Sequence, residues 1–292
     1  MHVPVLLHEA IAGLEPKEGD VVIDATLGGA GHAKELSKRL GKKGTLLCID
    51  ADEAAIARGK KLLKGGNAKF LHGNFRALKA LAEKAKLARV NGILFDLGVS
   101  SFHYESGRGF SFRRDEPLTM TFGAKKSMLF DARDIVNEWD ESNLRDVIAG
   151  YGEERYAARI ARGIITARER KPIAKSLELA AIIEASVPVA YRRRKIHPAT
   201  KTFQALRMAV NDELASLREG LKGALAILSS GGRMAVISFH SLEDRIVKHF
   251  MKEGVVAGKL RLITKKPIVP GDAEVNENPR ARSAKLRIAE KI

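Results

Sequence analysis

Two apolar runs, each ending in an acid, with a glycine-dense turn and one helix-length between them, constrain this chain more than any other feature. The first run is Val21-Val22-Ile23-Asp24, the turn is Gly28-Gly29-Ala30-Gly31-His32, and the second run is Thr45-Leu46-Leu47-Cys48-Ile49-Asp50. This is the layout of a strand, a tight loop, a helix and a second strand tipped by a carboxylate. Open parallel sheets bind ligands beyond the carboxyl ends of their strands, and glycine lets backbone approach a ligand closely. Asp50 is placed to accept from the two hydroxyls of a ribose. A G-x-G-x-x-G frame laid on Gly29-Ala30-Gly31-His32-Ala33-Lys34 puts Lys34 at the last glycine, which opposes a dinucleotide. The G-x-x-x-x-G-K-[ST] phosphate loop is absent. A cofactor with a ribose and no pyrophosphate, such as S-adenosylmethionine, remains. For the loop taken alone, a turn with no ligand is the competing reading.

Residues 20 to 100 keep the alternation. Val21–Asp24, Thr45–Asp50, Lys69–His72 and Gly92–Leu97 read as strands, with helices between them, notably Ala54–Leu63 and Ala77–Leu87. Such alternation predicts a parallel sheet covered on both faces. From Phe102 to Pro198 strand signals are few. Arg155–Arg170 carries Tyr156, Ile160 and Ile164 at helical spacing and is ended by Pro172, and Leu177–Val187 is an apolar helix stopped by Pro188. One long helix is expected next, because Phe203, Leu206, Val210, Leu214, Leu217, Leu221, Leu225 and Leu228 step by three or four. Gly231-Gly232 supplies its stop. Arg233–Phe239 reads as a late strand and Ser283–Ala289 as the last. The expected division is residues 1–103 with 214–292 as an α/β domain and 104–213 as an inserted helical domain with a basic surface.

The 292 residues hold 51 Lys and Arg against 35 Asp and Glu, a net charge of +16. Charge of that size favours a polyanionic partner. It is clustered, as in Lys60-Lys61, Arg168-Glu169-Arg170-Lys171, Tyr191-Arg192-Arg193-Arg194-Lys195, Lys265-Lys266 and Arg280-Ala281-Arg282. Nucleic acid suits these clusters better than an anionic membrane, since no basic amphipathic helix with an aromatic face stands out. No uncharged apolar stretch is long enough to span a bilayer, and Met1-His2-Val3-Pro4-Val5 shows no basic leader; a cytoplasmic protein is expected. The single cysteine, Cys48, reads as a buried structural thiol. The eight histidines and the cysteine show no metal-ligand spacing, so no metal is expected.

Four strand ends are chemically marked. They are Asp24 with its glycine turn, Asp50, Asn74-Phe75, and Asp96-Leu97-Gly98-Val99-Ser100-Ser101. Phe75 is a candidate to stack on an adenine ring. Asp96 ends an apolar strand, where a carboxylate needs partners, and is the candidate to face both cofactor and substrate. G-x-S-x-G is absent near Ser100-Ser101 and His103, which argues against a hydrolase. Ser241 to Asp244 has the Ser-x-x-Asp spacing of a helix start, and His240 before it either faces the site or serves the structure.

With these residues in hand, the chain resembles the bacterial ribosomal RNA small subunit methyltransferase H family, the MraW proteins, over nearly its whole length. The resemblance is carried by His2-x-Pro4-Val5-Leu6-Leu7, Asp24-x-Thr26-Leu27-Gly28-x-x-Gly31-His32, Asp96–Ser101, Arg108-Gly109-Phe110-Ser111-Phe112-Arg113 and Tyr151-Gly152-Glu153-Glu154-Arg155. Further along come His197–Ala205, Ser238–Arg245 and Asn278-Pro279-Arg280-Ala281-Arg282-Ser283. It implies an α/β, class I S-adenosylmethionine-dependent methyltransferase fold, Rossmann-like with a mostly parallel sheet and an inserted helical domain. It also implies methyl transfer to N4 of a cytidine in the decoding centre of 16S rRNA, within the small ribosomal subunit. By position the family's cofactor contacts fall on Ala30, Gly31, His32, Asp50, Phe75, Asp96 and His103. The chain departs from the family at Ala30, usually glycine, where a methyl group calls for ordinary backbone torsions. It departs again at His103, often glutamine, and at Thr119 and Thr121, where a carboxylate and a guanidinium are usual.

The expected chemistry is direct displacement at sulfur, helped mainly by holding donor and acceptor within reach of each other. Asp96, with backbone carbonyls of the Gly98–Ser101 loop, is the candidate to orient the amine. Ser100 and His240 are candidate substrate contacts. Arg192, Arg193 and Arg194 are candidates to hold rRNA phosphates while the target base leaves its stack. DNA cytosine-N4 methylation and a non-catalytic ribosome-assembly role are the alternatives; no Ser/Asp-Pro-Pro-aromatic loop supports the first.

Overall fold

The computed structural model describes residues 4–64, 66–123 and 129–292. His2 of the first family motif lies outside the described residues. The chain forms two compact units, Met1–Ser100 with Leu214–Ile292, and Ser101–Glu213. The first cut thus falls after Ser100 rather than after residue 103.

Seven strands make the sheet of the first unit: β1 (Val21–Asp24), β2 (Thr45–Asp50), β3 (Ala68–His72), β4 (Val90–Asp96), β5 (Leu228–Ser238), β6 (Leu260–Leu262) and β7 (Lys285–Lys291). Their order is β3-β2-β1-β4-β5-β7-β6. The first five are parallel, and β7 runs antiparallel to both β5 and β6. This is the class I methyltransferase arrangement. The strand order reverses between β1 and β4, the crevice where open α/β sheets take their ligands.

Among the described residues the helices, in chain order, are α1 (Leu7–Leu14), α2 (Gly31–Leu40), α3 (Glu53–Leu62), α4 (Leu78–Lys84), α5 (Ser101–Tyr104), α6 (Ala132–Glu138), α7 (Glu141–Gly152), α8 (Ala157–Arg168), α9 (Ser176–Ser186), α10 (Val189–Arg192), α11 (Ala199–Asn211), α12 (Glu213–Ile227), α13 (Ser241–Val256) and α14 (Asp272–Glu277). Successive strand residues alternate between sheet faces, so each apolar run feeds two cores. Val22, Leu46, Cys48, Leu94 and Ile237 pack with Leu14, Leu36 and Leu40 on one face. Ile23, Leu47, Ile49, Ile93 and Phe95 pack with Leu78, Leu217 and Leu221 on the other. Cys48 is fully buried, and burial pushes its thiol well above the ordinary range.

Two expectations need correction. The single long helix is two helices, because Asp212 takes left-handed torsions (φ 45°, ψ 47°) between α11 and α12. Arg207 then grips Glu213 across the break, Nε to Oε1 at 2.7 Å and a second nitrogen to Oε2 at 2.9 Å. The leucine stripe continues on either side, so periodicity alone hides the break. Nor does Gly231-Gly232 stop a helix. α12 ends at Ile227, and both glycines lie inside β5 near an irregularity in its register with β4.

The second unit is helical, as its paucity of strand signals foretold. Its core holds Ile135, Val136, Leu144, Ile148, Ile160, Ile164 and Leu206, all buried. The Arg108–Phe122 segment is stapled from within: Arg108 donates to the carbonyls of Thr121 and Phe122, and Asn211 bonds Phe122 N and Met120 O. Thr119 Oγ1 donates to the Arg108 carbonyl at 3.0 Å, and Thr121 is buried.

Candidate active site

Three strands of the first unit end in carboxylates, and the backbone wires these ends together. The turn after β1 is tied to both neighbours: Ala25 N donates to Leu94 O of β4, and Leu27 N to Ile49 O of β2. Asp24 Oδ1 accepts from Thr26 N at 3.1 Å, and Thr26 Oγ1 accepts from Asp96 N at 2.6 Å. Asp50 takes the backbone on each oxygen, from Gly28 N on Oδ2 and Asp52 N on Oδ1, both at 2.8 Å. Its remaining lone pairs can still accept from a ligand. Gly28 makes its close turn with φ +49°.

These acids share little compensating charge. Burial, reinforced by the charge of Asp50 and opposed by the Thr26 N–H, pushes Asp24 up to about 7. Burial likewise pushes Asp50 up to about 6, against the pull of its two N–H donors and of Arg58. Asp96 is held well above the usual carboxylate range, by burial first and then by the charges of Asp24 and Glu243. Its Oδ1 is buried without a hydrogen-bond partner among the described residues. The side chain as a whole is 21% exposed, so a ligand can still reach it. His32 faces Asp96 from the start of α2. Its Nε2 lies 3.0 Å from Val5 O, which can only accept, so Nε2 carries the proton. Nδ1 then points at Asp96 Oδ2, 3.6 Å away.

Ala30 does not have the ordinary torsions expected of it. It sits at φ 62°, ψ 19°, the left-handed region that glycine occupies without penalty, with its methyl buried. Its N–H closes the turn on Leu27 O at 2.7 Å. Packing by itself calls for glycine at Gly31. A Cβ there would lie 2.8 Å from Pro4 Cγ, so the Pro4 ring occupies that space. Its N–H and that of His32 open the first turn of α2, where no intrahelical acceptor exists.

Phe75 is half-buried after β3. It meets Phe95 edge-on at 5.6 Å, and its ring passes against Gly220. Ser100 Cβ stands 3.8 Å from where a Cβ on Gly28 would be, which brings the loop after β4 over the glycine turn. His240 is occupied as a helix cap. Its Nδ1 accepts from Glu243 N at 3.3 Å, while Glu243 Oε2 accepts from the N–H groups of Phe239 and His240. The start of α13 is therefore capped one residue earlier than the Ser241–Asp244 spacing suggested. Asp244 instead pairs with Lys285 and Arg287.

The first unit thus gathers Ala30, Gly31, His32, Asp50, Asp96 and Ser100 around one turn. His103 and the arginine run belong to the second unit. His103 is buried there in an aromatic cluster, 5.3 Å from the Phe110 ring and 5.1 Å from Phe122. Arg192 closes the end of α9, donating to Val187 O and Ala185 O at 3.1 and 3.2 Å. Arg194 lies over the Tyr191 ring at 5.1 Å, and Arg193 is exposed. Two residues of the site were missed from sequence. Thr26 links two strand ends, and Glu243 adds a buried charge near Asp96 beside that of Asp24. The Asp24-x-Thr26 pattern, an acid whose side chain can bond backbone two residues on, was the available signal for the first.

The arrangement suits a ligand bearing positive charge near Asp96 and hydroxyls near Asp50. The unpartnered Asp96 oxygen is the orphan such a ligand would satisfy, so S-adenosylmethionine fits the residues present.

The family model described as the MraW methylase family matches residues 1–292. Relatives named "Ribosomal RNA small subunit methyltransferase H" include one from Deinococcus radiodurans, 47% identical with 99% of this chain and 89% of the relative covered. Another from Carboxydothermus hydrogenoformans is 46% identical, with 100% and 98% covered. Among solved structures, an rRNA methylase from Streptococcus thermophilus aligns at 11% identity and a TM-score of 0.46, with 98% and 93% covered.

Proposed function

The chain belongs to the MraW methylase family, and from that premise we propose that it methylates N4 of a cytidine in the decoding centre of 16S rRNA. The coarser activity is that of an S-adenosylmethionine-dependent rRNA methyltransferase. The observation that carries the reading is the set of three under-compensated carboxylates around the β1–β4 crevice, with one Asp96 oxygen left without a partner.

S-adenosylmethionine supplies, when bound, a methyl group on positively charged sulfur. Asp50 accepts from its ribose hydroxyls with the lone pairs that Gly28 and Asp52 leave over. The N–H groups of Gly31 and His32 offer donors at the head of α2, and Ala30 shapes the turn that aims them. Phe75 offers a flat apolar surface for the adenine. A cofactor contact from His103 is assigned by the family resemblance alone. Asp96 favours the cationic ligand and accepts from the amine of the target base. The lone pair of that amine is delocalised into the ring, and acceptors on its N–H bonds favour the pyramidal, nucleophilic form. A carboxylate held above its usual range also keeps a proton well, so Oδ1 is suited to receive the one the amine loses. Most of the acceleration comes from holding the reacting atoms in line and close.

The rRNA backbone is held by exposed cations of the second unit, Arg193 and Arg194 among them, while the base is unstacked. Transfer of labelled methyl to unmodified 30S subunits, followed by nucleoside mass spectrometry, tests the reading. N4-methylated cytidine in 16S rRNA is the expected product. Methylated DNA cytosine, or no transfer to subunits or to free rRNA, would overturn it.

A further inference from the structure

On the second unit a group of cations is ordered by rings rather than by acids. The Arg155 guanidinium lies over both Tyr156 at 4.6 Å and Tyr191 at 5.1 Å. Arg159 lies over Tyr156 at 5.9 Å and Arg194 over Tyr191 at 5.1 Å. The two rings meet edge-on at 4.9 Å. The adjoining acid, Glu154, is buried and already taken: Oε1 accepts from Tyr156 N at 2.9 Å and Oε2 from the Tyr191 hydroxyl at 2.6 Å. Among the described residues none of the three exposed guanidinium groups has an ion pair or hydrogen bond.

Three like charges gathered around two rings repel one another, with a single buried carboxylate beside them. A cation–π contact leaves the N–H edge of a guanidinium free, while it removes much of the side chain's freedom. That edge matches a phosphodiester, and the ordering entropy is already spent. Tyr191 is only 8% exposed, so its ring supports cations and cannot stack on a base. The partner is read by its phosphates rather than its sequence.

We propose that Arg155, Arg159 and Arg194, held against Tyr156 and Tyr191, form a phosphate-binding surface for an RNA backbone. It rests on the rRNA-modifying reading above, takes Arg194 from the arginine run, and adds Arg155 and Arg159 from thirty-odd residues upstream of it. Arg192 has no part in it, since α9 claims its guanidinium.

The test is binding of the full chain to 16S rRNA and to an unrelated RNA across a salt series. Arg155→Gln, Arg159→Gln and Arg194→Gln are each expected to weaken both by roughly three- to ten-fold and to reduce the salt slope by about one. Arg162→Gln removes the same charge from α8, but Arg162 faces Glu141 at 3.6 Å; its loss is expected to stay under roughly two-fold. Tyr156→Phe should bind as the parent does, and Tyr156→Leu should weaken binding while the melting temperature shows it folded. Equal losses for all four arginines, or none, would overturn the surface. So would loss of affinity for anionic phosphatidylglycerol vesicles with RNA binding intact. Methyl transfer by the parent chain is read in parallel. If it fails while the patch variants still lose RNA, the enzymatic reading falls and the surface stands. If it succeeds while they bind normally, the surface falls alone.

Discussion

At the ends of β1, β2 and β4, the first unit holds one buried carboxylate and two half-buried ones with too few cations around them. On the second unit, guanidinium groups lie exposed over Tyr156 and Tyr191 with too few acids. Both are uncompensated charge, and they differ in solvent. A buried charge acts through short contacts that salt screens little, and its cost appears as a shifted proton affinity. An exposed charge is cheap to keep, acts weakly and additively, and fades as salt rises. A dry acidic crevice suits one small cation held in one pose. A wet basic surface suits a long polyanion held loosely along its length.

The largest effect should come from breaking the dry side. Asp96→Asn keeps the shape and the backbone bond to Thr26 Oγ1 but removes both the charge and the proton acceptor. Turnover is expected to fall by about 100-fold or more, with S-adenosylmethionine affinity reduced less. Steady-state kinetics beside calorimetry separate the two. Normal cofactor binding with full turnover would end the assignment of Asp96 to the reaction.

Proton linkage comes next. Asp24 at about 7 and Asp50 at about 6 both lie above their unfolded values near 3.8. An acid raised by folding costs stability as pH climbs from the unfolded value to the folded one, and nothing further above it. The ligand-free chain should therefore lose stability from these two groups between about pH 4 and 7. A bound cation favours the ionised acids, so S-adenosylmethionine should release protons on binding. Its affinity should tighten with pH up to about 7, by at most about ten-fold per unit for each proton released. S-adenosylhomocysteine, which lacks the sulfonium charge, should tighten less. Calorimetry in two buffers of different ionisation enthalpy counts the protons. Equal or absent linkage for the two ligands would mean that the acids do not sense the sulfonium. Over the same range, added salt should barely move cofactor affinity while it weakens RNA binding steeply, which is the contrast between the units in one measurement.

How much of this the residues announce depends on whether a signal is local. Apolar runs ending in Asp24, Asp50 and Asp96 mark strands and their ends directly, since burial and period are written along the chain. The break at Asp212 is invisible because the leucine spacing runs through it and only the backbone torsions change. The cap of α13 was misplaced by one residue because histidine, a rarer cap than serine, took the position next door. The bond from Asp96 N to Thr26 Oγ1 joins residues seventy positions apart, and pairing across parallel strands cannot be read from either end alone. The tyrosine-held arginines show the same limit. Arg155, Arg159 and Arg194 look like ordinary members of basic stretches until α8 and α10 bring their rings together.

Ala30 gives the smallest effect and the finest test of the dry side. Its left-handed torsions cost about 1 kcal/mol that glycine would avoid. Against this, Ala30→Gly discards a buried methyl, about 0.8 kcal/mol, and frees the unfolded chain by roughly 0.4–1 kcal/mol. The terms nearly cancel, with a slight loss expected, well under about 1 kcal/mol on chemical denaturation. Cofactor affinity should not change, because the turn is fixed by Ala30 N on Leu27 O and by Gly28 N on Asp50, bonds that either residue can make at these torsions. A several-fold change in affinity would show that the methyl itself lines the site. A gain well above 1 kcal/mol would show that the turn is more strained than its torsions require, and that the crevice, unlike the basic surface, stores energy in its backbone as well as in its charges.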